Sequence, residues 1–313
     1  MASSGKKQIF RLSPGQGAGA VADQLAGRHL IRNALYFRLL AEARGQQSSL
    51  EAGTYLISPA MPPSRILAVL AGGHVAVRRV TIPEGSTVKE IAAIMARRGV
   101  TSRRAFREAA MHFKSPFPDP KGRVLDPAEG FLFPATYAIP YGTGPEEVVD
   151  LLYATFQKKV PRALLAEGAK EGLTPDQVVI LASIVQKEAK LASDQPIVAG
   201  VFLNRIGKNM PLGSDATLDY ALGVKNDQLT VADIASKSPY NTFHRPGFPP
   251  GPIDCPGLQA IRAVLEAKKV PYLYFYSLPN GRDIFSKTYA EQLAVERRYK
   301  KVPNRAAATQ PAK

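Results

Sequence analysis

The chain has 313 residues, 45% of them apolar, enough for roughly two or three domains with a real core and too apolar for wholesale disorder. Lys and Arg number 41 against 26 Asp and Glu, and the net charge of +15 favours a polyanionic partner: nucleic acid, an anionic membrane surface or an acidic wall polymer. A single cysteine, Cys255, excludes an intrachain disulfide framework and a cysteine-cluster zinc site, while His29, His74, His112 and His244 lack ligand spacing, so no metal site is expected. The basic residues are dispersed, without one tract of interleaved aromatics, which argues against nucleic acid. No run approaches the ~18–20 apolar residues of a membrane span, and no signal peptide is recognisable.

Residues 9–44 and 79–110 read as two copies of one unit, with Gly15 on Gly85, Val21 on Ile91, Leu25 on Met95 and Leu30 on Val100. Each copy predicts a short strand, a Pro/Gly turn, a helix of about ten residues and a second helix starting near Asn33 or Ser102. Between them, residues 54–57 predict a strand, followed by a Pro-rich turn and another helix. The strand–turn–helix pattern resembles a LysM-like module, a small fold associated with N-acetylglucosamine polymers. A structural αβ spacer fits the pattern equally well.

Residues 114–145 are rich in turns around EGFLFPATYAIP, whose Phe131, Phe133 and Tyr137 read as core. The expected organisation is α+β: a duplicated N-terminal region (1–78 and 79–120), a larger catalytic domain (121–302) and a disordered tail (303–313). Two helices, over 145–159 and 163–171, precede the most informative stretch, residues 173–219.

That stretch opens with a capped helix, Thr174 as N-cap, Pro175 at the first helical position and Gln177 completing a capping box. Val178, Leu181, Ala182 and Val185 recur at helical spacing. At ~100° per residue Glu188 falls within roughly 20° of Leu181, a carboxylate on the apolar face of its own helix. It is either an end-of-helix carboxylate paired with a cation, or a general acid whose pKa is raised by partial burial. An apolar segment, 196–206, and a polar strip, 210–220, follow.

Beyond it lies a Pro-rich loop, 238–257, whose rigid shape suits a cleft wall. A helix over 258–267, a hairpin turning at Asn280-Gly281 and a closing helix from residue 289 complete the chain.

Taken together, EGFLFPATY (129–137), LASIVQKEA (181–189), VFLNRI with MPLGSDATLDYALG (201–223), SPYNTFHRPGFPPGPIDCPG (238–257) and PYLYFYSLPNGRDIFSKTYAE (271–291) resemble the endolytic murein transglycosylase, or YceG-like, family. The family pattern usually has His where Asp283 stands. The resemblance implies a cofactor-free lyase that cuts the MurNAc–GlcNAc β-1,4 bond within nascent peptidoglycan strands and leaves 1,6-anhydro-MurNAc ends. It implies Glu188 as sole acid/base. Asn204 and Arg205 would orient Glu188 or bind sugar; Ser214, Asp215 and Thr217 would meet hydroxyl or acetamido groups. Tyr240, Asn241 and Thr242 open the Pro-rich loop, with Tyr240 stacking on a sugar and Asn241 holding an acetamido group or forming an Asx turn. Peptidoglycan strands and their synthases are the implied partners. The family's N-terminal membrane helix, absent from this sequence, implies anchoring in the bacterial inner membrane with the catalytic domain outside the cytoplasm. A wall-binding scaffold without catalysis, and a water-using muramidase with Asp215 as second carboxylate, are the alternatives.

Overall fold

The computed structural model describes residues 5–117, 119, 121–224 and 229–300. The expected tail, 303–313, lies outside the described residues. The chain packs as two units, one of Met1–Val80, Ala96–Thr101 and Thr136–Gly144, the other of Thr81–Met95, Ser102–Ala135 and Pro145–Lys313.

In the smaller unit, alternation turns Phe10 and Leu12 inward from β1 (Gln8–Leu12). Two helices follow, α1 (Ala18–Gly27) and α2 (Ala34–Ala43), then β2 (Gly53–Ile57), antiparallel to β1 with Phe10 opposite Tyr55. Asn33 caps α2 by accepting the Tyr36 N–H at 3.0 Å. Helix α3 (Pro63–Ala71) contributes Ile66, Leu67 and Leu70 to the same core. Strand β3 (Val77–Thr81) opens a second pattern that continues through α4 (Val88–Arg97) and α5 (Arg103–Met111), the latter capped by Ser102, to β4 (Thr136–Pro140). β3 and β4 pair in their own two-stranded sheet. The order strand–helix–helix–strand, with the outer strands paired, therefore occurs twice. Residues 79–120, read from the sequence as one body, divide between the units: Thr81–Met95 and everything from Ser102 pack with the larger one. Aromatic packing accounts for part of this, since Phe113 and Phe117 join Phe131, Tyr153 and Phe156.

The larger unit continues with α6 (Pro145–Lys159), α7 (Arg162–Ala166) and a 3-10 turn before α8 (Pro175–Glu188). Gln177 accepts the Thr174 N–H at 3.0 Å, the capping contact expected at the start of α8. All residues from Val178 to Val185 are buried, so the apolar stripe underestimates this helix: it is enclosed on every side. Its neighbours are α9 (Gln195–Gly207), α10 (Asp215–Leu222) and α12 (Leu258–Leu265), with the short α11 (Val231–Ile234) between the last two. A hairpin of β5 (Tyr274–Ser277) and β6 (Asp283–Ser286) and the helix α13 (Tyr289–Lys300) follow. Gly281, at φ +86°, takes the left-handed position its turn requires. The architecture is α+β.

Much of the Pro-rich loop is core. Residues 251–257 are buried, and the Ile253 N–H donates to Ser183 Oγ at 3.0 Å. Gly130 (φ +89°) lies against Pro252, where a Cβ would sit 2.5 Å from the ring.

Candidate active site

Glu188 is the last residue of α8, and Ala189 behind it is already extended. Its Oε1 accepts a hydrogen bond from Ser214 Oγ at 2.5 Å, and its carboxyl also takes the Ala216 backbone N–H. Ser214 is the N-cap of α10 and Ala216 lies in its first turn, so Glu188 faces a helix N-terminus. The sequence presented this segment as a polar strip; it is a helix whose free N–H groups meet the acid.

These donors favour the carboxylate, yet burial outweighs them and, with the negative charges of Asp215 and Asp283, raises the Glu188 pKa to about 7. The residue as a whole is half-buried, with its carboxyl at the sheltered end. A group poised there holds both protonation states near neutral pH and can serve as acid and then as base.

Ser214 is itself fixed. Its N–H donates to Thr242 Oγ1 at 3.1 Å, and Thr217 Oγ1 donates to its carbonyl at 2.8 Å. The two threonine hydroxyls lie 2.9 Å apart, and all three residues are buried. Thr217 and Thr242 therefore brace the serine that touches Glu188 and present no hydroxyl to a sugar. Asp215, next along, is exposed and is the polar side chain of this trio of short residues that solvent reaches.

Arg205, from α9, donates from Nε to the Leu273 carbonyl at 2.6 Å and from Nη1 to that of Leu212, with its guanidinium 5.2 Å from the Tyr274 ring centre. Burial lowers its pKa, while Tyr274 and Glu188 favour its charged form. It thus supplies positive charge near the acid. Asn204 does not take part: its Nδ2 donates to the carbonyls of Val270 and Tyr272 at 2.7 and 2.9 Å, bracing α9 against the approach to β5.

Tyr240 offers no ring to a sugar. It is fully buried, its ring 5.3 Å from Tyr220, and its hydroxyl accepts the Leu125 N–H at 3.4 Å. Asn241 takes the Asx-turn alternative: Oδ1 accepts the Phe243 N–H at 3.0 Å, and Nδ2 donates to the Ile234 and Ser236 carbonyls, both at 2.8 Å. Next to these residues the first half of the loop lines a recess of about 150 Å³, with Arg123 and Arg245 on its wall. A larger recess, about 550 Å³, lies between Glu84, Pro196 and Arg262 and includes none of the residues around Glu188. Chemistry, more than volume, selects the Glu188 site.

Asp283 was not among the expected site residues. Ser277 Oγ donates to its Oδ1 at 2.6 Å, its N–H donates to Asp194 Oδ2 at 3.2 Å, and its charge acts on Glu188. The Asn-Gly turn signals the hairpin but gives no sign that it reaches α8.

A family model described as the YceG-like family matches residues 10–298. The chain belongs to the YceG-like family. A Bacillus subtilis relative named endolytic murein transglycosylase is 29% identical over 305 residues, covering 93% of this chain and 84% of the relative. The Streptococcus pneumoniae D39 protein of the same name is 28% identical over 307 residues, 88% of this YceG-like chain and 55% of its own length. A crystal structure of a YceG-like protein from Listeria monocytogenes superposes with a TM-score of 0.63 at 28% identity, covering 93% of this chain and all of that one. The stretches carrying Glu188, Ser214 and Asp283 all fall within the matched residues.

Proposed function

We propose that this chain is an endolytic murein transglycosylase, cutting MurNAc–GlcNAc β-1,4 bonds inside nascent peptidoglycan strands, with Glu188 as its acid and base. The observation that carries the reading is a sheltered carboxyl on a half-buried residue, its pKa raised to about 7, held by Ser214 Oγ and the α10 N-terminus. Protonated Glu188 donates to the glycosidic oxygen as the C1–O bond breaks. The resulting carboxylate then accepts the proton of the sugar's own C6 hydroxyl, whose oxygen bonds to C1 and closes the 1,6-anhydro ring. The proton count balances without water or cofactor. Arg205 and the α10 N–H groups stabilise the carboxylate between the two transfers.

The repeated strand–helix–helix–strand order supports a LysM-like reading of the N-terminal copies, with N-acetylglucosamine polymers as the ligand. Retention of the full chain on purified sacculi, above a basic control protein, tests it. Anchoring at the inner membrane and association with peptidoglycan synthases belong to the same proposal.

Mass spectrometry of uncrosslinked strands after incubation tests the chemistry. Products lighter by one water than hydrolytic ones, made by the wild type and not by Glu188→Gln, are the expected result. Reducing-end products would replace the lyase with a muramidase that uses Asp215, and no cleavage by the wild type would leave a wall-binding scaffold.

A further inference from the structure

Helix α2 is amphipathic in an unusual sense: both of its faces are apolar. Phe37 and Ala41 are buried, whereas Leu35, Tyr36 and Leu39 are 62%, 55% and 56% exposed. At ~100° per residue Leu35, Leu39, Ala43 and Tyr36 fall within an arc of roughly 100°, opposite Phe37. Single exposed apolar residues need no explanation, but three large ones on one face mark a surface that is covered in use.

The charge around this face narrows what covers it. Residues 23–51 hold four arginines, at 28, 32, 38 and 44, against one acid on the helix, Glu42, and two at the ends of the stretch, Asp23 and Glu51. Arg28 and Arg32 precede the helix and Arg44 follows it, so cations bracket the apolar face at both ends. Arg38 is paired to Asp23 at 2.5 Å, while Arg28 and Arg44 donate to the Ile9 and Ser64 carbonyls at 3.1 and 3.5 Å and keep their charge unpaired by any acid among the described residues. The smaller unit carries 12 Lys and Arg against 3 Asp and Glu, more than half the net charge of the chain on fewer than a third of its residues.

A second copy of this chain would bring two strongly basic units together, which opposes self-association through this face. An acidic glycan or a nucleic acid would answer the charge and leave the leucines in water. An anionic phospholipid surface answers both, with headgroups for the arginines and an interfacial layer for Leu35, Tyr36 and Leu39. We propose that the α2 face docks the smaller unit onto anionic bilayers, through a weak, reversible contact separate from the Glu188 site.

The chain contains no tryptophan, so Leu39→Trp installs a lone reporter on the face. In the full chain its emission should shift to the blue with vesicles of phosphatidylcholine containing phosphatidylglycerol, and not with phosphatidylcholine alone. The shift should weaken as salt is raised. In co-sedimentation, Leu35→Asp/Leu39→Asp should lower partition onto the anionic vesicles by about tenfold or more, with an unchanged melting temperature. An unmoved emission would overturn the proposal. So would a double variant that partitions like the wild type, equal binding to neutral vesicles, or a blue shift that needs sacculi or an acidic protein and no lipid.

Discussion

Two groups of carboxyls lie in the larger unit, and burial acts on both in the same direction with different consequences. Around Glu188 the partners are a hydroxyl, a helix N-terminus, a cation and two further carboxylates, and the acid is half-buried beside the exposed Asp215. Glu129 and Asp254 form the second group, at 2% and 0% exposure. Both Glu129 oxygens accept the Val88 N–H, at 3.1 and 3.2 Å, which ties the first turn of α4 to residue 129. Cys255 Sγ stands 3.7 Å from Oε1, and Tyr220 adds a hydrogen bond. Burial raises Glu129 well above the usual carboxylate range, and the nearby Asp126 and Asp254 push it further. Asp254 is also raised well above its ordinary value by burial; Lys187, 3.9 Å away, pulls the other way, but neither Asp254 oxygen has a hydrogen-bond partner among the described residues. A raised pKa alone is thus no mark of catalysis. It becomes one where a substrate can reach the proton and neighbouring groups stabilise both charge states.

The largest expected effect separates the two groups outright. Glu188→Gln should lower the rate of strand cleavage by at least ~10³-fold while glycan binding persists, read by product mass and by retention on sacculi. The same variant should melt higher than the wild type above pH 7, where the native carboxyl must ionise in a sheltered place.

Glu129→Ala should leave activity per folded molecule intact and cost about 2–4 kcal/mol of stability in urea melts, since the Val88 N–H loses its acceptor and a cavity opens. Glu129→Gln, which keeps an acceptor, should cost less. A Glu129→Ala protein that is fully folded and inactive would erase the distinction between the groups.

Stability should also depend on pH through the sealed pair. Both folded pKa values lie above the unfolded ones, so the fold binds the extra protons; their contribution is complete below the unfolded values and is lost as pH rises through the folded values. Asp254→Asn should therefore stabilise by ~1 kcal/mol at pH 8 and by less at pH 5, measured by paired thermal melts. Destabilisation by the same change at pH 8 would mean that the Lys187 ion pair outweighs burial.

How much of this was legible follows from the range over which each signal acts. The α8 cap, the Asn33 and Ser102 caps and the Asn-Gly hairpin are local, and local rules found them. The place of Glu188 on the apolar side of α8 was legible because helical phase is local too. The partners of Glu188 are 17 to 95 positions away, from Arg205 to Asp283, and composition places no constraint on which of them arrive. Ser214 was named for a sugar-binding role and instead holds the acid; Thr217 and Thr242 were named for the same role and hold Ser214. Tyr240 looked like a platform because tyrosine suits one, but its chemistry suits a core as well, and packing against Tyr220 decides the matter. Glu129 gave no signal beyond its place in EGFLFPATY: a single acid before a turn reads as solvated, and only the α4 N–H reaching it shows otherwise.

The smallest effect tests the chemistry most finely. Asp215 and Asp283 both raise the Glu188 pKa, so Asp215→Asn and Asp283→Asn should each lower it and move the alkaline limb of the cleavage rate to lower pH. Asp215 is exposed and Asp283 half-buried, so added salt should shrink the first shift more than the second. Asp176→Asn, at the far end of α8, serves as the control and should leave the limb in place. In a lytic enzyme Asp215→Asn is a modest change, because Glu188 carries both proton transfers. In a water-using enzyme that leaned on Asp215 it would abolish turnover at every pH, so the size of one substitution distinguishes a neighbour that tunes the acid from a partner that shares its work.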